Sequence, residues 1–246
     1  MPILYLSPST QENNFYVSGG TEEEYMNRLA DAMVPYLDAS GIRYSRNTPD
    51  MTAASSIAAS NAGNYDLHLA LHSNAAPEGA YGSARGSIAF YFPTSPEGRR
   101  AAGTIAEGLK YIYPDPNRVR AESTVAIGEV RRVRAPAVLL ELAFHDNEED
   151  AAWITGNIPE IARNLVISLT RYFGIPFFQS SLDRPGRVQV GFGSLNLRAR
   201  PDSGAPIVAR APNNAPLLVR NGFGEWYLVD YGGTLGYASS EFVTLD

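Results

Sequence analysis

Up to about residue 176, short apolar runs alternate with longer stretches in which apolar residues return every three or four positions. That pattern predicts strands alternating with amphipathic helices. The predicted strands are Ile3–Leu6, Ile42–Ser45, Leu67–Leu71, Ser87–Phe92 and Ala137–Phe144. A first helix opens at Thr21 and carries an apolar stripe of Met26, Leu29, Met33 and Tyr36/Leu37. Further helices are expected over Thr52–Ala62, Pro96–Tyr111 and Trp153–Phe173, the last interrupted near Pro159. Thr21 followed by Glu24 is a capping-box pattern, and Gly41 is placed to end the first helix. This alternation predicts an α/β domain with a mostly parallel twisted sheet and helices on both faces.

After Phe177 the pattern changes to short alternating segments separated by Gly, Asn and Pro turns. Val188/Val190, Leu195/Leu197, Ile207–Ala209, Leu217–Val219, Trp226–Val229, Leu235–Tyr237 and Phe242–Leu245 read as strands, with turns at Asn221-Gly222 and Gly232-Gly233. These predict a small all-β barrel. The expected organisation is a domain over 1–177, a linker over 178–184 and a second domain over 185–246. Gly191-Phe-Gly193 and Gly222-Phe-Gly224 read as turn glycines and not as nucleotide loops, because no helix follows either.

Composition removes several chemistries. The chain has no cysteine, so it has no thiolate metal site, disulfide or cysteine nucleophile. Lys110 is the only lysine, and the histidines are His68, His72 and His145. The net charge is −6, and residues 185–246 hold five arginines and five acids, so the whole excess lies on the first domain. That balance speaks against a nucleic-acid partner. No apolar run approaches the roughly 20 residues of a membrane span. The N-terminus has no basic stretch and reads as a first strand, not as a signal peptide.

Three polar residues fall where such a domain ordinarily keeps apolar ones. His72 ends the run Asp66-Leu-His-Leu-Ala-Leu-His-Ser-Asn74, at the strand end where open α/β sheets bind ligands. His68 shares its strand face. Four residues of strand set the two Cα atoms roughly 13 Å apart, against about 10–11 Å for two imidazoles on one tetrahedral zinc. His68 therefore reads as a hydrogen-bonded core residue, and His72 as the better ligand. Glu22 lies four residues before Met26 and continues the buried stripe, although a first-turn acid is also explained by the helix dipole. Glu141 stands inside the apolar strand Pro136-Ala-Val-Leu-Leu-Glu-Leu-Ala-Phe144, where a carboxylate is costly unless paired. Its partner is either a metal site or one of Arg131, Arg132 and Arg134 just upstream.

On these residues the first segment resembles the zinc-dependent N-acetylmuramoyl-L-alanine amidases of the amidase-3 type. Members have a Glu opening the first helix, a strand ending Ser-Ile-His-Ala-Asn, and a strand reading Pro-Ala-Val-Leu-Val-Glu-x-x-Phe-x-x-Asn. This chain has Glu22, Leu71-His72-Ser73-Asn74, and Pro136-Ala-Val-Leu-Leu-Glu141-Leu-Ala-Phe144-His-Asp-Asn147. The resemblance implies zinc on Glu22 and His72, with Glu141 as general base or acid. One position departs: the family's first strand ends Asp-Pro-Gly-His-Gly and supplies a third ligand, where this chain has Ser7-Pro8-Ser9-Thr10-Gln11. Gln11, Thr10 and His145 are the candidates to replace it.

Leu195-Asn-Leu-Arg-Ala-Arg-Pro201, Glu225-Trp-Tyr-Leu-Val229 and Gly236-Tyr-Ala-Ser-Ser240 resemble the motifs of bacterial SH3-like domains that accompany wall hydrolases. Barrel core is the plain reading of Trp226 and Tyr237, and it is the one adopted for Trp226. Together the resemblances imply a peptidoglycan hydrolase cutting between N-acetylmuramic acid and L-alanine, targeted by its SH3-like module. The alternative is a degenerate amidase fold that binds peptidoglycan or a partner without cleavage. Action on the wall without a visible export segment implies release by lysis, a phage-type pore or a non-classical route, as for an endolysin or an autolysin.

Overall fold

The computed structural model describes residues 1–246. Contacts divide the chain into two compact units. One holds residues 3–34 and 44–172; the other holds 1–2, 35–43 and 173–246.

The first unit is built on a six-stranded sheet. Its elements in chain order are β1 (Ile3–Pro8), α1 (Glu22–Ala39), β2 (Arg43–Arg46), α2 (Ala53–Ala62), β3 (Leu67–Asn74), β4 (Ser87–Tyr91), α3 (Pro96–Leu109), β5 (Val119–Ser123), α4 (Gly128–Arg131), β6 (Ala137–Phe144), α5 (Glu148–Gly156) and α6 (Ile158–Phe173). The strand order is β2-β1-β3-β6-β4-β5. β1 with β3, β3 with β6 and β4 with β5 pair in parallel, while β4 runs antiparallel to β6. In β3 every residue from Leu67 to Ser73 is buried, so both faces of the sheet's centre are covered.

Local sequence explains the elements that carry the site. Glu22, Met26, Leu29, Met33 and Leu37 of α1 are all buried, as the stripe requires. Thr21 Oγ1 accepts the Glu24 N–H at 3.2 Å. The Glu24 carboxylate, however, pairs with Arg28 one turn on and does not complete the capping box. At the other end Gly41 adopts φ +73°. Its N–H reaches Asp38 O, and Ile42 N–H reaches Leu37 O, the double bond of a Schellman cap. The helix expected to begin at Trp153 begins at Glu148 instead, and the break falls at Asn157. Asn147 explains the earlier start, because its side chain accepts the N–H groups of Glu149 and Asp150.

The second unit contains β7 (Arg184–Val188), β8 (Ser194–Arg198), β9 (Ile207–Pro212), β10 (Pro216–Phe223), β11 (Trp226–Tyr231), β12 (Thr234–Ser239) and β13 (Val243–Leu245). They form one seven-stranded sheet ordered β13-β7-β10-β11-β12-β8-β9, with every resolved pairing antiparallel. Its core is aliphatic, centred on Val188, Leu197, Leu217, Val219 and Val229. Gly232-Gly233 is the β11–β12 turn, both residues at positive φ as the tight hairpin demands. Two expectations fail here. Asn221-Gly222 is not a turn but lies inside β10, at a bulge between Val219 and Asn221. Asn221 is buried there because its amide donates to Ala39 O and Ser180 O. Trp226 is not core: it is half-buried on a surface groove with Phe192 and Phe242, whereas Tyr237 is fully buried.

Candidate active site

The strand ends and the first turn of α1 converge on His72. Its ring is held between two carboxylates. Nδ1 lies 2.8 Å from Glu22 Oε1, and Nε2 lies 3.2 Å from Glu129 Oε2. Glu22 is 1% exposed and His72 9%, so little water weakens either contact. Asn14 donates to the second Glu22 oxygen at 2.7 Å and to Gln11 Oε1 at 2.9 Å. The Gln11 amide itself lies 3.2 Å from His72 Nδ1.

Burial alone raises the Glu22 pKa, but hydrogen bonds from His72 and Asn14 outweigh it and hold the group below the ordinary carboxylate range. Burial likewise disfavours a charged His72, yet the two carboxylates push it up to about 10. Both carboxylates thus favour the protonated form of the His72 ring.

Glu141 stands beside this cluster on the neighbouring strand, its Cα in register with that of His72. Arg131, Arg132 and Arg134 are all exposed, and Glu141 Oε2 is buried without a hydrogen-bond partner. Desolvation is the main cause that lifts its pKa to about 7. A carboxyl with that pKa can both take and give a proton near neutrality.

His68 is fully buried, with Nδ1 at 3.0 Å from Ser60 Oγ and Nε2 at 3.3 Å from Glu129 Oε1. One carboxylate thus lies between the two histidines of β3. His145 is buried with its Nδ1 against Ser73 O and Oγ, and its ring stacks on Tyr16 at 5.4 Å. Its Nδ1 is spent on Ser73, not on the Glu22–His72 pair. Thr10 and Gln11 line a cleft of about 440 Å³ that reaches His72 and Glu129 and is bordered by Ser9, Met51 and Thr52.

Does this donor set suit zinc? No group of three His, Cys, Asp or Glu side chains is arranged around one point. Glu22 Oε1 and His72 Nδ1 are two strong donors facing each other. Bonds of about 2.1 Å to a tetrahedral ion would separate them by about 3.4 Å, roughly half an ångström more than they are now. Turning the Gln11 amide over would bring its oxygen to this spot as a third donor, and would give up the hydrogen bond that this oxygen accepts from Asn14. The buried, unpartnered Glu141 oxygen is what a site built for a further polar occupant leaves unpaired. Glu22 and His72 are donors of the kind zinc takes, and a Gln11 amide oxygen is the third donor within reach.

Glu129 is the residue that the sequence pattern did not single out. It sits on α4, a helix of four residues, between Gly128 and Val130. So short a segment has no periodicity to show which way an acid faces. Ser7 carried a readable signal, as a buried polar residue closing an apolar strand; its hydroxyl donates to Glu129 Oε1 at 2.7 Å.

The chain is an α/β domain with buried carboxylates flanking an imidazole at its strand ends, followed by a small β unit. The chain belongs to the N-acetylmuramoyl-L-alanine amidase family, whose model matches residues 9–169, and a bacterial SH3 domain model matches residues 193–244. Its activity is that of a peptidoglycan amidase. The fold is similar to that of the CwlD amidase of Clostridioides difficile, solved with the GerS lipoprotein, at 16% identity and a TM-score of 0.62 over 71% of this chain and 99% of that one. AmiC2 of Nostoc punctiforme is similar at 11% identity and a TM-score of 0.61, over 70% and 97%. The catalytic domain of the CD27L endolysin targeting Clostridia difficile is similar at 19% and 0.58, over 70% and 98%. No curated protein matches the chain.

Proposed function

We propose that the chain hydrolyses the amide between the lactyl group of N-acetylmuramic acid and L-alanine of the stem peptide in a zinc-dependent reaction. The observation that carries this reading is the convergence of Glu22 Oε1 and His72 Nδ1 at 2.8 Å, with Glu141 in register on the adjacent strand. Glu22 and His72 would hold the metal, with Gln11 as the third donor. When bound, zinc supplies a Lewis acid for the scissile carbonyl and lowers the pKa of water. Glu141 takes a proton from the attacking water and returns it to the departing alanine nitrogen, a two-way role suited to a pKa near 7. Asn14 fixes the Glu22 carboxylate by its second oxygen and so orients the first toward His72.

The SH3-like unit would hold the enzyme on its polymeric substrate, raising the local concentration of scissile bonds. No helix is long and apolar enough to cross a membrane, and peptidoglycan places the site of action outside it. The test is purified protein on cell-wall sacculi, with and without zinc, reading new amino termini on alanine. Release that depends on zinc supports the reading. No release at any zinc concentration, with the wall still bound, would sink it.

A further inference from the structure

We infer that Glu129 is a positioning residue that fixes the His72 ring so that Nδ1, and not Nε2, faces the metal position; this rests on the zinc reading above. Glu129 is 5% exposed and its two oxygens have divided duties. Oε1 accepts from Ser7 Oγ at 2.7 Å and faces His68 Nε2 at 3.3 Å. Oε2 is left for His72 Nε2 at 3.2 Å. His68 is in turn anchored by Ser60, so the carboxylate cannot swing without breaking a buried chain of contacts. Turning the His72 ring over would put Cδ2 and Cε1 where Nδ1 and Nε2 now lie and lose both carboxylate contacts at once. A metal-binding histidine whose second N–H is held by a carboxylate is fixed in orientation and is a more basic donor, and loss of such a partner costs 10- to 100-fold in metal affinity. Nothing else in the site could do this, because Glu22, Gln11 and Asn14 all lie on the Nδ1 side or beyond it.

The experiment uses the full chain and two readouts. Zinc affinity is measured by chelator competition for the wild type, Glu129→Gln, Glu129→Ala and Ser7→Ala. About a tenfold loss is expected for Glu129→Gln, approaching a hundredfold for Glu129→Ala. Ser7→Ala, which removes one tether and keeps the carboxylate, should lose severalfold and add nothing in the Glu129→Gln background. Affinity within twofold of wild type in folded Glu129 variants overturns the inference. The second readout is the ¹⁵N and ¹H spectrum of the histidine rings without metal. A protected Nε2–H resonance of His72 is expected in the wild type and in Glu141→Gln, and should be lost in Glu129→Ala. If that resonance persists in Glu129→Ala, the inference fails. If the wild type binds no zinc while the spectra behave as expected, it is the metal reading that fails and the orientation by Glu129 that stands.

Discussion

The two units bury different things. The second closes on aliphatic side chains, and Asn221 is the only buried polar residue among its strands, tyrosines aside. The first buries Glu22, His68, His72, Glu129 and His145 around one strand. Taking ionised groups out of water costs several kcal/mol each, repaid only where partners are well placed. A unit that needed only stability would have filled those positions as the second unit did. The cost is concentrated where β3 ends beside α1, and Glu141 there lacks even a partner for its inner oxygen. The first unit is built around polar and ionisable groups, and the second around an aliphatic core.

The largest expected effect breaks the first unit and spares the second. Glu141→Gln should lower kcat on sacculi by about 10²–10⁴-fold, with binding to the wall unchanged in a pull-down assay. Loss of both together would mean that the units are not separable in function.

The same substitution should make the protein more stable at neutral and alkaline pH. The folded-state pKa of Glu141 is raised to about 7 from an ordinary value of 4.5. Between those values the folded state holds a proton that the unfolded chain has given up, so wild-type stability falls as pH rises from about 4.5 to 7 and levels off above. A glutamine has no such penalty. Thermal melts of metal-free protein should therefore coincide near pH 4, separate between about pH 4.5 and 7, and stay apart by roughly 3 kcal/mol above pH 7, with the variant ahead. Equal melts at pH 8 would place the Glu141 carboxylate in a far more polar setting than the one described.

A smaller effect is expected on the second unit. Trp226 is half-buried with Phe192 and Phe242 on its groove. Trp226→Ala should weaken wall binding by about five- to tenfold and leave cleavage of a soluble muropeptide unchanged. A drop in muropeptide cleavage would show that the unit acts on catalysis. Smallest is Gly41→Ala. At φ +73° a Cβ is strained and would approach Met1 Cε at 2.7 Å, so a loss of about 1 kcal/mol is expected in denaturant melts. An unchanged midpoint would show that the Schellman cap contributes little.

What could be read from the sequence follows from the range over which each signal acts. The α1 stripe spans five turns, and that repetition was enough to place Glu22 inward. Gly41 was readable as a helix stop because its conformation is a local property. Glu141 stood out against seven apolar neighbours in β6. Glu129 did not, because four helical residues carry no period and its partners Ser7, His68 and His72 are brought to it only by sheet pairing. Asn221-Gly222 misled for the converse reason. Its local turn preference was overridden by acceptors at Ala39 and Ser180, which are distant in sequence. Trp226 misled because bulk and apolarity predict burial on average, whereas this ring lines a groove.

The central claim is that Glu22 and His72 form a zinc site with only an amide to replace a third imidazole. Metal analysis of the purified full chain, equilibrated with zinc and then dialysed, tests it most directly. One zinc per chain is predicted for the wild type, and a small fraction of that for Glu22→Ala and His72→Ala. A wild-type protein that releases alanine amino termini from sacculi while holding no zinc would contradict it.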